Sequence, residues 1–488
     1  MKKLIICLCT LICVFSALIG GVIFNSVENN TEENYEVSTL SLPNVANDLF
    51  ENRRLTSLRR ELIEEGDGTE KNPYIITTPG QILDLARGNY YKLGADLNFG
   101  MYEYRPDTFR DINFDGNGYS ITGVFIGSAN NNIGFFRELE DSVITNLHVT
   151  GVIRGSGIIG GIAGIISGTQ LINCSFSGYI YGEEYVGGLV GQVNDPARNN
   201  SEIINCANKA NVYGEGDYIG GLVGNVTGST TAGYEALISN SYNMGIIQGG
   251  RANIGGLVGN ANNTIVENCY NIGTINAPWY TRADGAIGDI IGLAYECEFR
   301  NVYNYGTLSV IAAIEAVGGF VGVAKRDNVF ENCVNFAEVF CKNEISQSGF
   351  VGELGANNTF TNCYFGGKST AQSANANISI SEIIRFDGEI RYGDRAFFED
   401  LGLDTFVVDD AVNMGLPFIE EASGLKPLRT TDEREGTWIN YIRDNSLSMS
   451  EHPTGTGTQD DPILIETARQ LALIAAEIRD GNDGIASS

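Results

Sequence analysis

A glycine-rich hexad, Gly-Gly-apolar-apolar-Gly preceded by Ile or Val, returns at near-regular spacing through the middle of this chain. It reads IGGIAG at Ile159 to Gly164, VGGLVG at Val186 to Gly191, and IGGLVG at both Ile219 to Gly224 and Ile254 to Gly259. Divergent copies follow as IGDIIG from Ile287, VGGFVG from Val317 and SGFVG from Ser348, and a weaker ancestor stands at Ile133 to Phe136. Between copies lies a second repeated strand, centred on Cys174, Cys206, Ser241, Cys269, Val302, Cys333 and Cys363. Cys174 and Cys363 are 189 residues apart over six steps, a mean period of 31.5. A unit that short cannot bury an apolar face alone, so neighbouring units must stack.

Alternate residues match around each centre. Two positions on stand Phe176, Asn208, Asn243, Asn271, Asn304, Asn335 and Phe365; six on stand Ile180, Val212, Ile247, Ile275, Leu308 and Val339. A period of two means strands with one face inward and excludes helix. Like faces recurring every coil predict an all-β parallel β-helix with coils about 4.8 Å apart. Ile162, Leu189, Leu222, Leu257, Ile290, Phe320 and Phe350 are expected to form an inward ladder, although either apolar position of the hexad could supply it. The Asn series reads as an amide ladder, as does the Asn just before each centre: Asn173, Asn205, Asn240, Asn268, Asn301, Asn332 and Asn362. The Cys position also accepts Ser241 and Val302, which favours buried free thiols acting as small apolar groups over a Cys174–Cys206 bridge. Cys297 and Cys341 fall outside that ladder.

The chain divides into six parts. Residues 1–24 place Lys2 and Lys3 before an uncharged apolar run, an export signal peptide or signal anchor. Residues 25–65 form a polar stalk, with a short helix expected near Leu58 to Glu64. Residues 66–369 hold the β-helix. Its opening has a strand at Tyr74 to Thr77 and a capping box, Thr78-Pro79-Gly80-Gln81, that starts a short capping helix running to about Arg87. Residues 370–425 are an irregular C-terminal cap and 426–453 a linker. Residues 454–488 repeat the opening segment at an offset of 389, as the start of a second, truncated β-helix.

The formal net charge of −29 repels phosphate and argues against nucleic acid as a partner. With only His148 and His452, neither followed by the spacing of a zinc peptidase helix, metal hydrolysis has no motif here. No cofactor and no catalytic residue is expected. Acidic residues recur before the hexad, as Glu183 and Glu184, Glu215 and Asp217, then Asp284 and Asp289. They form a solvated strip or, in an enzyme, an outer row of carboxylates. The pattern breaks at Ala277-Pro278-Trp279-Tyr280-Thr281-Arg282, where Trp279, Tyr280 and Arg282 are the candidate ligand-binding residues, able to stack on a sugar or anchor a protein.

The Gly-Gly-Leu-Val-Gly copies resemble the GLUG motif, and the opening segment with PYIIT, Gln81 and KLGADLNF (Lys92 to Phe99) resembles what precedes such repeats. The resemblance implies a right-handed β-helix in an exported bacterial surface protein, often adhesin-like. Some immunoglobulin A1 peptidases share these repeats, but their activity resides in a zinc domain of a kind not found here. The expectation is a non-catalytic, secreted or cell-surface protein acting in adhesion or ligand display. It would be a monomeric rod whose partner is a glycan or surface protein, touching the membrane only through its N-terminal signal. The alternatives are a polysaccharide lyase or hydrolase, for which Asp289 is the acid to replace, and a passive spacer.

Overall fold

The computed structural model describes residues 58–366, except 101, 128–131, 196–198, 250–252, 278–284, 311–315, 337–338 and 342–346. Beyond them it describes short strands at Ile383–Arg385, Phe406–Val407 and Phe418–Ile419. The expected signal segment, most of the stalk, the linker and the second β-helix start lie outside these residues.

Each coil runs along four faces, and from Tyr242–Asn243 and Ile247–Gly249 onward four coils give the second face two short strands instead of one. In a representative coil the strands are Gln170–Ile172, Ser175–Gly182, Tyr185–Gly187 and Val190–Asn194. Coil after coil, the four faces become parallel sheets of 11, 15, 8 and 9 strands. The fold is therefore an all-β parallel β-solenoid of about eight turns. Strand register reproduces the repeat read from the sequence. Phe176 pairs with Asn208, which aligns in turn with Asn243, Asn271, Asn304, Asn335 and Phe365.

The interior is filled by like residues stacked on like. Ile162, Leu189, Leu222, Leu257, Ile290, Phe320 and Phe350 are fully buried. So are the residues that follow them, from Ala163 and Val190 to Val351, because the hexad straddles a corner and turns both inward. Full burial of each aliphatic side chain stabilises by about 2 kcal/mol. Toward the C-terminal end the core becomes aromatic: Phe320 stacks on Phe350 with centroids 4.7 Å apart, and Phe330 stacks on both Phe299 and Phe360. In every hexad copy but that of Asp289 the second glycine position is a glycine, and proximity is the reason. A Cβ on Gly188 would lie 2.0 Å from the Gly221 carbonyl oxygen and 2.2 Å from the Asn208 side chain.

Two local expectations change at the N-terminal end. The Thr78 box opens a six-residue 3-10 helix, Pro79–Asp84, which stops short of Arg87. Gln81 Oε1 accepts from the N–H groups of Thr77 and Thr78, while the Thr78 hydroxyl donates to Glu61. Ile82 is buried against the first coil. The second change is at Leu58 to Glu64, which is not helical. Its N–H groups bond across the fold, Leu58 to the Glu103 carbonyl and Glu61 to that of Gly80, and Leu58 and Ile63 pack on the core. Of the C-terminal cap, Ile383–Arg385 adds a parallel strand beside Cys363–Phe365, and Phe406–Val407 pairs with Phe418–Ile419 antiparallel.

Candidate functional site

The corner between the first and second faces is set by one residue per coil in the left-handed region. Asn146, Asn173, Asn205, Asn240, Asn268, Asn301, Asn332 and Asn362 all have φ between 49° and 55°. Asn tolerates this conformation better than other residues with a Cβ. The exposed side of the corner carries part of the expected ladder: Asn301 Nδ2 donates to Asn268 Oδ1 at 2.9 Å and Asn332 Nδ2 to Asn301 Oδ1 at 3.0 Å. It is interrupted in mid-rod, where Asn205 Oδ1 and Asn240 Oδ1 are buried and have no hydrogen-bond partner among the described residues.

The residue after each corner Asn is the Cys position, and its chemistry is richer than that of a small apolar group. Cys174, Cys206, Cys269, Cys297, Cys333 and Cys363 are free and buried, with no bridge from Cys174 to Cys206. The turn leaves a backbone N–H pointing along the rod, and the side chain of the next coil accepts it. Cys174 N–H donates to Cys206 Sγ at 3.4 Å, and Cys206 N–H to Ser241 Oγ at 3.0 Å. Each Sγ–H or Oγ–H then donates to the carbonyl two residues earlier, as Cys269 does to Glu267 and Ser241 to Ser239. Cys297 occupies the equivalent place at a second left-handed corner, with Ser142, Thr169 and Thr264, and donates to the Tyr295 carbonyl at 3.2 Å. Burial pushes the Cys269 and Cys297 thiols up to about 12. The side chain of Cys341 lies outside the described residues.

Inside the second face runs the other amide ladder. Asn208, Asn243, Asn271, Asn304 and Asn335 are wholly buried; each of the first four Nδ2 groups donates to the Oδ1 of the next at 2.7 to 3.0 Å, and Asn335 Nδ2 donates to the Gly349 carbonyl. The first four also close a local ring, taking an N–H and giving to the carbonyl two residues on, as Asn271 does with Gly273. Beside Asn304 lies Asp289, where other coils carry the second hexad glycine. It is fully buried, and neither carboxyl oxygen has a hydrogen-bond partner among the described residues. Burial holds its pKa well above the usual carboxylate range, eased only by Asn304. Asp289 therefore does not belong to the outer acidic strip, because its hexad position faces the core; a polysaccharide sliding along the rod would not meet it.

The outer strip itself is built at the corner between the second and third faces. The Glu183-Glu184 turn sits directly on the Glu215-Gly216-Asp217 turn of the next coil, with Glu215 N–H donating to the Gly182 carbonyl and Tyr218 N–H to that of Glu184. Gly216 permits this approach, since a Cβ there would lie 1.8 Å from the Glu183 carbonyl oxygen. Two tyrosine pairs flank the turns. Tyr181 and Tyr213 stack at 4.8 Å and 7°, with the Arg154 guanidinium 5.1 Å over Tyr181 and the Tyr181 hydroxyl donating to Glu215 at 2.6 Å. Tyr185 and Tyr218 lie 5.0 Å apart, tilted by 39°. Burial and Glu215 raise the Tyr213 hydroxyl to about 12. These tyrosines were not among the sequence candidates, although YGEEY at Tyr181 and YGEGDY at Tyr213 carry the signal.

Trp279, Tyr280, Arg282 and Asp284 lie outside the described residues. His148 is half-buried, its Nδ1 2.9 Å from Ser175 Oγ, with its pKa held down by burial and then by Lys209.

The stacked coils and the hexad at their corners define a repeat protein carrying the GLUG motif, whose family model matches residues 250–276. The chain is 27% identical over 185 residues to "Halomucin" of Haloquadratum walsbyi (strain DSM 16790 / HBSQ001), a match covering 34% of this chain. It spans 2% of that protein's length. A crystal structure of a chain provisionally described as an immunoglobulin A1 protease, from Bacteroides ovatus, is 20% identical with a TM-score of 0.39, covering 61% of this chain and 87% of that one.

Proposed function

We propose that this is an exported, surface-associated protein acting in adhesion or ligand display, without catalysis, wound as a right-handed rod. The observation that carries the reading is the division between interior and corners. The interior asparagines and cysteines bond from coil to coil, which makes a stiff support, while the turns between the second and third faces change from coil to coil, as Glu183-Glu184 does to Glu215-Gly216-Asp217. The GLUG motif and the distant likeness to halomucin support a surface or secreted location. Binding would be extended contact along the rod, each coil adding a little area and the variable turns supplying specificity. The polysaccharide-cleaving alternative loses support from Asp289, whose carboxyl faces the core.

The test is to display the full chain on beads and measure binding to glycan arrays and to intact cells, while assaying acidic polysaccharides for new unsaturated or reducing ends. Binding without turnover is expected. Turnover would overturn the non-catalytic reading, and absence of any binding would leave the spacer.

A further inference from the structure

We propose that the aromatic stripe on the outer side of the second face, formed by Tyr242, Tyr270, Tyr303, Phe336 and Tyr364, is the seat of the chain's own residues 386–405. This goes beyond the surface-binding reading and does not depend on it.

Alternation places the stripe outside. Asn243, Asn271, Asn304 and Asn335 turn into the rod, so their strand neighbours turn out: Tyr242, Tyr270, Tyr303 and Val334 before them and Phe336 after the last. None of these outward residues belongs to the interior cluster. Tyr242, Tyr270 and Tyr303 stack in sequence, 5.0 Å apart and within 6° of parallel, and Phe336 stacks on Tyr305 at 4.6 Å. Outward rings on a rod should meet solvent, yet Tyr242, Tyr270 and Tyr303 are 4%, 7% and 2% exposed, Phe336 1% and Tyr364 6%. Stacking does not account for this, because Tyr185 and Tyr218 also point outward, also lie 5.0 Å apart, and stay only half-buried. The stripe is covered from outside.

Continuity of the chain selects the occupant. Ile383–Arg385 adds the last strand of this same face, with Ile384 aligned with Tyr364, so residues 386–405 set out from the end of the stripe. Four coil steps separate Tyr364 from Tyr242, roughly 19 Å, whereas about twenty extended residues reach roughly 66 Å. The segment carries Phe386, Ile390, Tyr392, Phe397, Phe398 and Leu401 among acidic residues, enough apolar surface to cover the rings on one side. The turns that follow Ala277 and Val310 leave from the opposite edge of the face, seven residues beyond Tyr270 and Tyr303. Uncovered, a row of aromatic rings of this length would invite association between chains.

The experiment uses the full chain with benzoylphenylalanine in place of Phe397, irradiated and mapped by mass spectrometry. Cross-links within one chain to the peptides holding Tyr270 or Tyr303 are expected. In parallel, hydroxyl-radical footprinting compares the natural chain with Phe397→Asp combined with Phe398→Asp. Tyr242, Tyr270 and Tyr303 should be protected in the natural chain. In the variant their rates should approach those of Tyr102 and Tyr234, which are 48% and 38% exposed. Cys269 and Cys297 remaining silent toward alkylation shows the rod to be intact, and the cross-link decides if the charged variant unfolds. Cross-links from position 397 to any other region, or protection that survives the charged variant in an intact rod, would overturn the proposal. So would cross-links between chains, which put a second copy over the stripe, and protection lost on removing residues 1–57, which puts the N-terminal segment there. The surface-binding reading is judged separately, by whether the chain binds cells or glycans.

Discussion

The Asn271 amide donates to the side-chain oxygen of Asn304, one coil away, at 3.0 Å, and both residues are wholly buried. Asn271 also bonds to both backbone groups of Gly273 and receives Asn243. Replacing it with Leu strands a donor on Asn243 and an acceptor on Asn304, at about 1 to 3 kcal/mol each. Asn271→Leu should lower the urea midpoint far more than Asn262→Leu, a change at a half-buried position of the fourth face. Equal midpoints would refute the ladder's structural weight.

Asp289 gives stability a pH dependence of unusual sign. Its folded pKa is raised above the ordinary value near 3.8, so the folded state keeps a proton that the unfolded state releases. Its contribution is complete below that ordinary value and is lost as pH rises toward the folded pKa. Asp289→Asn keeps the shape and removes the titration, while Asp289→Gly restores the residue of the other copies. Melting temperatures from pH 4 to 8 should show both variants gaining on the natural chain as pH rises; parallel profiles would show that the carboxyl is not held protonated.

The thiols in the corner ladders should be silent toward alkylation. Burial holds Cys206, Cys269, Cys297 and Cys333 in the unreactive thiol form. Peptide mapping after iodoacetamide should find these four modified only in denaturant. Cys206→Ser should cost less than about 1 kcal/mol, because Ser241 already performs the same two hydrogen bonds. Native-state labelling would contradict the packing.

Asn301 combines a left-handed backbone, φ 53°, with two ladder hydrogen bonds. Asn301→Ala should destabilise by about 1 to 2 kcal/mol through backbone strain alone, and Asn301→Gly should recover most of that part. Chemical denaturation of the two variants separates conformation from hydrogen bonding; equal losses would assign the whole effect to the amide.

Repetition is what made this fold legible. The Asn208 to Asn335 series keeps one residue type because each side chain must match an identical neighbour, so identity itself marks the register. The second corner carries Ser142, Thr169, Thr264 and Cys297 in one role; the shared function, an acceptor for a turn N–H and a donor to a carbonyl, is hidden beneath different letters. In sequence Asp289 reads as one more acid of the strip beside Asp284, whereas its position in the hexad belongs to the core. The tyrosine corner escaped notice because spacing reveals recurrence along a chain and does not reveal that Arg154, from another coil, lies over one of its rings. The irregular segment at Leu58 to Glu64 has helix-forming residues, but its backbone found partners elsewhere in the fold.

The coil-to-coil bonding of the interior asparagines has a consequence for how such chains change length. Since every rung donates toward the next coil and accepts from the one before, excising residues 222–256 joins Gly221 to Leu257 and brings the Asn208 donor against the Asn271 acceptor, so that the ladder closes again. Recombination between copies can therefore lengthen or shorten the molecule by whole turns, and rungs spaced 35, 28, 33 and 31 residues apart in one unbroken ladder leave the length of each turn free to differ.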